Sequence, residues 1–185
     1  DLELSNGNKI PTISLVARML KDKGVYEFVE AVKILKKKKI KGRFLLIGDI
    51  DTKNPTSLSQ TQLKEWQEKQ LIEWLGWVKD VKSILLETDI LCLPSYREGL
   101  PRSALEAMCA GLPLILSDVP GCRECLINGV NGFLIESKSS ESIEKAINKF
   151  IEKPEIIKKM GEESVNLIRK KFSDQKIFNN YEGIL

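Results

Sequence analysis

Apolar and polar positions follow two rhythms along this chain, and the order in which the rhythms alternate predicts its architecture. Short apolar runs occur at Thr12-Ile13-Ser14-Leu15-Val16-Ala17, residues 43–47, Glu73-Trp74-Leu75-Gly76-Trp77, Asp89-Ile90-Leu91-Cys92-Leu93-Pro94 and residues 113–116. Bounded by Gly, Pro, Asp and Ser, they read as buried strands. Between them the period changes. Within residues 23–37, Val25, Phe28, Val29, Val32 and Leu35 recur at helical spacing, as do Ile143, Ala146, Ile147, Phe150 and Ile151 further on. Helices are also predicted over 62–71, 80–86 and, beyond the breaker Pro154, 155–170; Ile177, Phe178 and Tyr181 give a helical pattern over 174–181. Residues 51–60, rich in Ser, Thr, Asn and Pro, form a loop. Asn128-Gly129-Val130-Asn131-Gly132-Phe133-Leu134 is a tight turn feeding a last strand. No repeat is visible.

Strands alternating with helices imply a parallel sheet with right-handed crossovers, hence a Rossmann-like α/β domain over residues 11–185 behind a polar leader or linker at 1–10. In such a sheet a ligand sits outside the carboxyl ends of the strands. That rule selects the loops at 17–24, 48–51, 76–79, 94–101 and 117–121. The richest is Ser95-Tyr96-Arg97-Glu98-Gly99-Leu100-Pro101-Arg102-Ser103-Ala104-Leu105-Glu106-Ala107-Met108. Pro101 suits the first helical position and Gly111 the residue past the helix end. Glu98 and Glu106 then flank a helix N-terminus whose free N–H groups attract anions. Carboxylates that take hydroxyls beside amides that take phosphate suit a sugar nucleotide.

Arg18 and Lys23, just past the first strand, could neutralise a diphosphate, and Arg can grip it with two parallel bonds; solvated loop cations are the plain alternative. Glu98 could balance positive charge at an anomeric carbon, or merely complement the helix dipole. A lone buried carboxylate is costly, so Glu106 calls for partners such as ribose hydroxyls unless its helix face is exposed. Trp77, at a strand end, is placed to approach a base, whereas Trp66 and Trp74 are spaced like core or cleft-wall aromatics.

Composition narrows the field. The 185 residues, 42% hydrophobic, make one domain large enough for a core. A net charge of +3 is too small to indicate nucleic acid. The lysines at 36–39 and 41 read as the solvated end of a helix, or as a weak attraction to an anionic membrane surface. No apolar run is long enough to span a bilayer. Cys92 and Cys109 read as core thiols, and Cys122-Arg123-Glu124-Cys125 has CxxC spacing with no second CxxC and no histidine in the chain. A reduced, cytoplasmic setting follows. Without histidine, Ser-His-Asp and Cys-His catalysis are unavailable. No GxGxxG and no GxxxxGK[ST] is present.

Arg18-x4-Lys23-Gly24, Leu46-Ile47-Gly48, Leu75-Gly76-x3-Asp80-Val81 and Glu98-x7-Glu106-Ala107-Met108-x2-Gly111-x-Pro113 resemble the C-terminal half of retaining family 4 glycosyltransferases of GT-B architecture. Ser95-Tyr96-Arg97-Glu98-Gly99-Leu100-Pro101, with Asp118-Val119-Pro120-Gly121-Cys122-Arg123-Glu124, looks like the branch that builds bacterial surface polysaccharides and lipid-linked oligosaccharides, many of whose members use UDP-N-acetylhexosamines. The resemblance implies that Arg18 and Lys23 hold the donor diphosphate, Glu98 meets the transferred sugar as the catalytic residue, and Glu106 holds the ribose. Amides of the turn at Gly99 and Pro101 would serve sugar and phosphate. Proline lacks an N–H, so phosphate contacts pass to Leu100, Arg102 and Ser103. Trp77 and Val78 would lie at the nucleobase. The reaction would need no cofactor and no metal ion, the expectation being that no Asp-x-Asp cluster is available to hold one. The expected partners are a nucleotide sugar and a glycan or lipid-linked acceptor. The latter would be held by an N-terminal domain that this sequence does not contain and that could bring peripheral membrane association. Alone, the chain is expected to bind donor weakly and to transfer nothing measurable. A non-catalytic nucleotide-sugar module and one half of a GT-B sugar-nucleotide epimerase are the alternatives.

Overall fold

The computed structural model describes residues 10–171. The 1–9 part of the expected leader and the expected helical pattern at 174–181 lie outside them. Among the described residues six strands form one fully parallel sheet: β1 Thr12–Val16, β2 Arg43–Ile47, β3 Glu73–Gly76, β4 Ile90–Leu93, β5 Leu114–Ser117 and β6 Gly132–Ile135, in the order β3-β2-β1-β4-β5-β6. The expected Rossmann-like α/β sheet is therefore present. The chain winds outward through β1, β2 and β3, crosses back, and winds the other way through β4, β5 and β6. The reversal falls between β1 and β4, which pair through Ile13–Ile90 and Ser14–Leu91. At such a switch point the two following loops diverge and leave a crevice.

Among the described residues seven helices cover the sheet: α1 Val25–Lys37, α2 Gln60–Glu68, α3 Val81–Leu86, α4 Arg102–Cys109, α5 Pro120–Arg123, α6 Ser140–Glu152 and α7 Glu155–Lys171. Buried strand residues point alternately to two cores, as a sheet covered on both faces demands. Ile13, Leu15, Phe44, Leu46, Ile90, Cys92 and Ile115 pack with α1, α2 and α6. Leu91, Leu93, Leu114 and Leu116 pack with α3, α4, α5 and the Ile168 end of α7.

Most boundaries shift by a residue from the sequence reading, and three of the shifts have a clear local cause. The helix expected from residue 23 starts at Val25, because Gly24 takes a left-handed conformation (φ 72°) that closes a 3-10 turn at Lys21–Lys23. The helix expected over 62–71 begins two residues earlier, where the Ser59 hydroxyl accepts from the Gln62 amide, and is stopped by Gln70 at φ 54°. Pro101 is not the first helical residue but the extended residue before it, at φ −71° and ψ 111°. Gly111 ends α4 with φ 73°, as expected.

Candidate functional site

The loops after β1 and β4 enclose a cleft of about 640 Å³, lined among others by Arg18, Lys23, Glu98, Arg102, Ser103 and Glu106. That volume falls inside the range of roughly 300–1,000 Å³ typical of small-molecule sites. The apolar wall comes from Val16, Ala17, Leu93 and Pro101. Residues 80 positions apart in sequence thus converge because both loops leave the sheet at its switch point.

The two loops are joined at several levels. The Lys23 ammonium lies 2.7 Å from Glu98 Oε1, and the side chains retain only 21% and 12% exposure. At that burial the pair is screened less than an ordinary surface ion pair. Beneath it, a Cβ on Gly24 would sit 2.1 Å from the Pro94 carbonyl oxygen, so only glycine allows this approach. Gly121, at the start of α5, backs the turn from the other side: a Cβ there would meet the Glu98 and Gly99 carbonyl oxygens at 2.3 and 2.1 Å.

Arg18 is the more exposed cation. Its Nη1 donates to Asp51 Oδ2 at 2.7 Å, with 61% of the arginine side chain exposed. Asp51 belongs to a loop folded back on the first one: Lys21 N donates to the Thr56 carbonyl and Leu58 N to that of Met19. Against the expectation that no Asp-x-Asp cluster is available, Asp49-Ile50-Asp51 is such a triplet. Its carboxylates are engaged locally, Asp49 by the Ile50 amide and Asp51 by Arg18 and the Lys53 amide. Among the described residues no three His, Cys, Asp or Glu side chains gather as metal ligands would.

At the first turn of α4 no side-chain cap accepts from the backbone amides, and Arg102 and Ser103 face the cleft. Glu106, one turn on, is half-buried in the cleft wall and makes no hydrogen bond or ion pair among the described residues. Such a carboxylate is disposed to accept hydroxyl donors.

Four expected site residues are not in the lining. Leu100 points outward at 45% exposure. Gly99 instead contributes its carbonyl to the junction with Gly121. Trp77, 69% exposed, and Val78 follow β3, two strands from β1, beyond the cleft wall. Of the other tryptophans, Trp66 is buried edge-on to Tyr26, and Trp74 Nε1 donates to the Gly48 carbonyl at 2.9 Å.

All four cysteines are buried free thiols. Burial pushes Cys122 and Cys125 up to about 12, which leaves them protonated and poor nucleophiles or ligands. Cys122 also feels the Glu98 charge and, oppositely, that of Lys23, which places it under the turn. It fills space there, as a core thiol should.

Residues 3–166 match the model of the family described as glycosyl transferases group 1. The chain belongs to that family. It is 35% identical over 147 residues to the N,N'-diacetylbacillosaminyl-diphospho-undecaprenol alpha-1,3-N-acetylgalactosaminyltransferase of Campylobacter jejuni, which covers 80% of this chain and 37% of that protein. The C-terminal domain of a group 1 glycosyl transferase (LpcC) from Francisella tularensis superposes with TM-score 0.76 at 28% identity, over 90% of this chain and 89% of that one. HepE of Anabaena, crystallised with UDP, shares the fold at TM-score 0.76 and 22% identity, over 88% of this chain and 45% of that one. The chain spans well under two thirds of the first curated relatives it matches, 37% of one and 47% of the next.

Proposed function

We propose that this chain is the donor-binding domain of a retaining glycosyltransferase that takes a hexose or N-acetylhexosamine from a UDP-sugar to a glycan or lipid-linked acceptor in bacterial surface-glycan synthesis. The observation that carries the reading is the switch-point cleft, where Arg18, Lys23, Arg102, Ser103, Glu98 and Glu106 meet around one cavity. The diphosphate lies between the cations of the first loop and the uncapped first turn of α4, where charge and helix dipole act together. As the sugar departs, charge builds on the phosphate oxygens, and cations already in place stabilise it without reorganisation. Glu98 faces the sugar and opposes positive charge at the anomeric carbon. Glu106 accepts the ribose hydroxyls. Trp77 and Val78 lie toward the base end, outside the enclosed part of the cleft.

The UDP preference draws on the UDP-bound HepE structure, and the acceptor class on the N,N'-diacetylbacillosaminyl-diphospho-undecaprenol in the name of the Campylobacter relative. The acceptor would be bound by a further domain, through which the enzyme could touch the membrane; among the described residues no helix is long and apolar enough to cross one. Four free thiols favour a cytoplasmic setting. The cations carry the leaving-group charge in this reading, with no cofactor and no metal ion assigned. Calorimetric titration with UDP, GDP, UDP-N-acetylglucosamine and UDP-galactose tests it. Binding of UDP with a further gain from one sugar is expected; no nucleotide binding, or equal binding of GDP, contradicts it. Glu98→Gln should remove most turnover in the complete enzyme while sparing UDP affinity, and equal losses in both would contradict a sugar-facing role.

A further inference from the structure

Two residues before Glu98, the loop after β4 carries Tyr96, which belongs to neither hydrophobic core. Its Oη donates to Glu27 Oε1 at 2.5 Å, across 69 positions of sequence. Its amide donates to the Asp22 carbonyl at 2.8 Å. The Lys138 ammonium lies 4.9 Å from the ring centroid on the remaining side. Glu27 sits in the first turn of α1, and its second oxygen is buried with no hydrogen-bond partner among the described residues. Among the described residues the phenol is therefore the one hydrogen-bond donor given to that carboxylate. Burial and the Glu27 contact together push the phenol above its ordinary range.

Asp22, Lys23 and Glu27 lie on one short stretch, and each engages the same opposite loop: the Asp22 carbonyl takes Tyr96 N, Lys23 takes Glu98, and Glu27 takes the phenol. The Glu98 and Gly99 backbone packs on Gly121, but the other side chains of that loop are weakly tied. Arg97 is 86% exposed and reaches Asp22 only at 3.9 Å, a Cβ on Gly99 would meet nothing within 4 Å, and Leu100 points outward. If Lys23 turns toward a diphosphate, Glu98 loses its ion-pair partner. The Tyr96–Glu27 contact does not depend on Lys23.

We infer that Tyr96 and Glu27 form a clasp that fixes the position of the Glu98 carboxylate toward the sugar of a bound nucleotide sugar. This rests on the donor-site reading above; both are positioning residues, acting through Glu98. Charge-assisted hydrogen bonds of this length are among the stronger ones a loop can make. The clasp lets Lys23 serve the phosphates while Glu98 stays in register.

The test compares affinities of the full-length protein for UDP with those for UDP-N-acetylglucosamine and UDP-galactose, taking as readout the gain in affinity that the sugar adds. Tyr96→Phe keeps the ring under Lys138 and removes only the donor. It should leave UDP affinity within about twofold and cut the sugar's gain by about threefold to tenfold, only part of what one charge-assisted bond is worth, because the bond reaches the sugar through Glu98. Glu27→Ala should match it, Glu27→Gln should lose less because its amide oxygen still accepts, and the double variant should be no worse than Tyr96→Phe alone. Tyr26→Phe, on an exposed ring, should change neither affinity. A full sugar gain in Tyr96→Phe, where Glu98→Gln abolishes it, overturns the clasp but not the donor site. Parallel losses for UDP and its sugars mean general damage and also overturn the clasp. A wild-type protein that binds none of these nucleotides, or gains nothing from either sugar, overturns both readings.

Discussion

The two edges of the sheet both carry cations and a groove, yet they differ in how those charges are matched. At the amino edge a groove of about 280 Å³ is lined by Lys36, Arg43, Gln70 and Glu73 among others. There Arg43 is bidentate to Glu73, at 3.0 and 2.8 Å, Lys36 donates to the Gln70 carbonyl, and neighbouring Lys38 pairs with the buried Glu144. At the carboxyl edge Arg102, Ser103 and Glu106 line the larger cleft with no hydrogen bond or ion pair among the described residues, and the Lys23–Glu98 pair joins two loops rather than one strand pair. Matched charges complete a fold; unmatched ones facing a cavity are available to a ligand. The edges thus separate structure from function more clearly than their residue types do.

The sharpest way to break this contrast is steric. Gly24→Val places a branched side chain at φ 72° against the Pro94 carbonyl. A loss of about 3 kcal/mol or more is expected in urea unfolding, together with loss of UDP binding. A stable Gly24→Val protein with normal affinity would show that the loops need no such contact.

Lys23→Ala comes next. It removes the cation proposed to meet the diphosphate and leaves Glu98 largely buried without its partner, so UDP affinity should fall on the order of tenfold to a hundredfold in a calorimetric titration. At the other edge Arg43→Ala removes an equally well-formed pair, yet UDP affinity should not change. If the two substitutions had equal effects on UDP, the contrast between the edges would fail.

A pH titration probes the floor of the turn. The folded-state values of Cys122 and Cys125 are raised from 9.0 to about 12 by burial. The unfolded chain therefore releases these protons first, and stability, complete below about pH 9, declines as pH rises from 9 toward 12. In chemical unfolding across that window, Cys122→Ala/Cys125→Ala should show a flatter decline than wild type. An unchanged slope would mean that the thiols are not shielded.

The smallest expected effect is the stability change in Arg43→Ala, below about 1 kcal/mol for an exposed pair. A larger loss by urea unfolding would make the amino-edge pairing more than local.

Much of this was legible in the sequence. Strand and helix periods gave the six strands, and the rule that ligands sit at carboxyl ends brought residues 18–23 and 98–106 together before any coordinates. What escaped was set by contacts between distant segments. Nothing in the local pattern marks Glu27, an acidic residue in a helix first turn, as the acceptor for a phenol 69 positions away. Gly121 reads as part of a Pro-Gly turn, and its close approach to Glu98 and Gly99 depends on where α5 lands. Asp51 lay in plain view in an Asp-x-Asp triplet, but its partner Arg18 is fixed only once the loop after β2 folds back. Trp77, whose aromatic character at a strand end suggests a base contact, follows β3 at the sheet edge, outside the enclosed part of the cleft.

A crystal structure of the protein with the UDP-sugar that it binds tests the central claim most directly. The account predicts the diphosphate between Lys23 and the first turn of α4, with Arg18 turned toward it and Glu106 on the ribose. A diphosphate elsewhere on the surface, or a bound nucleotide that Lys23 and Glu106 both point away from, would contradict it.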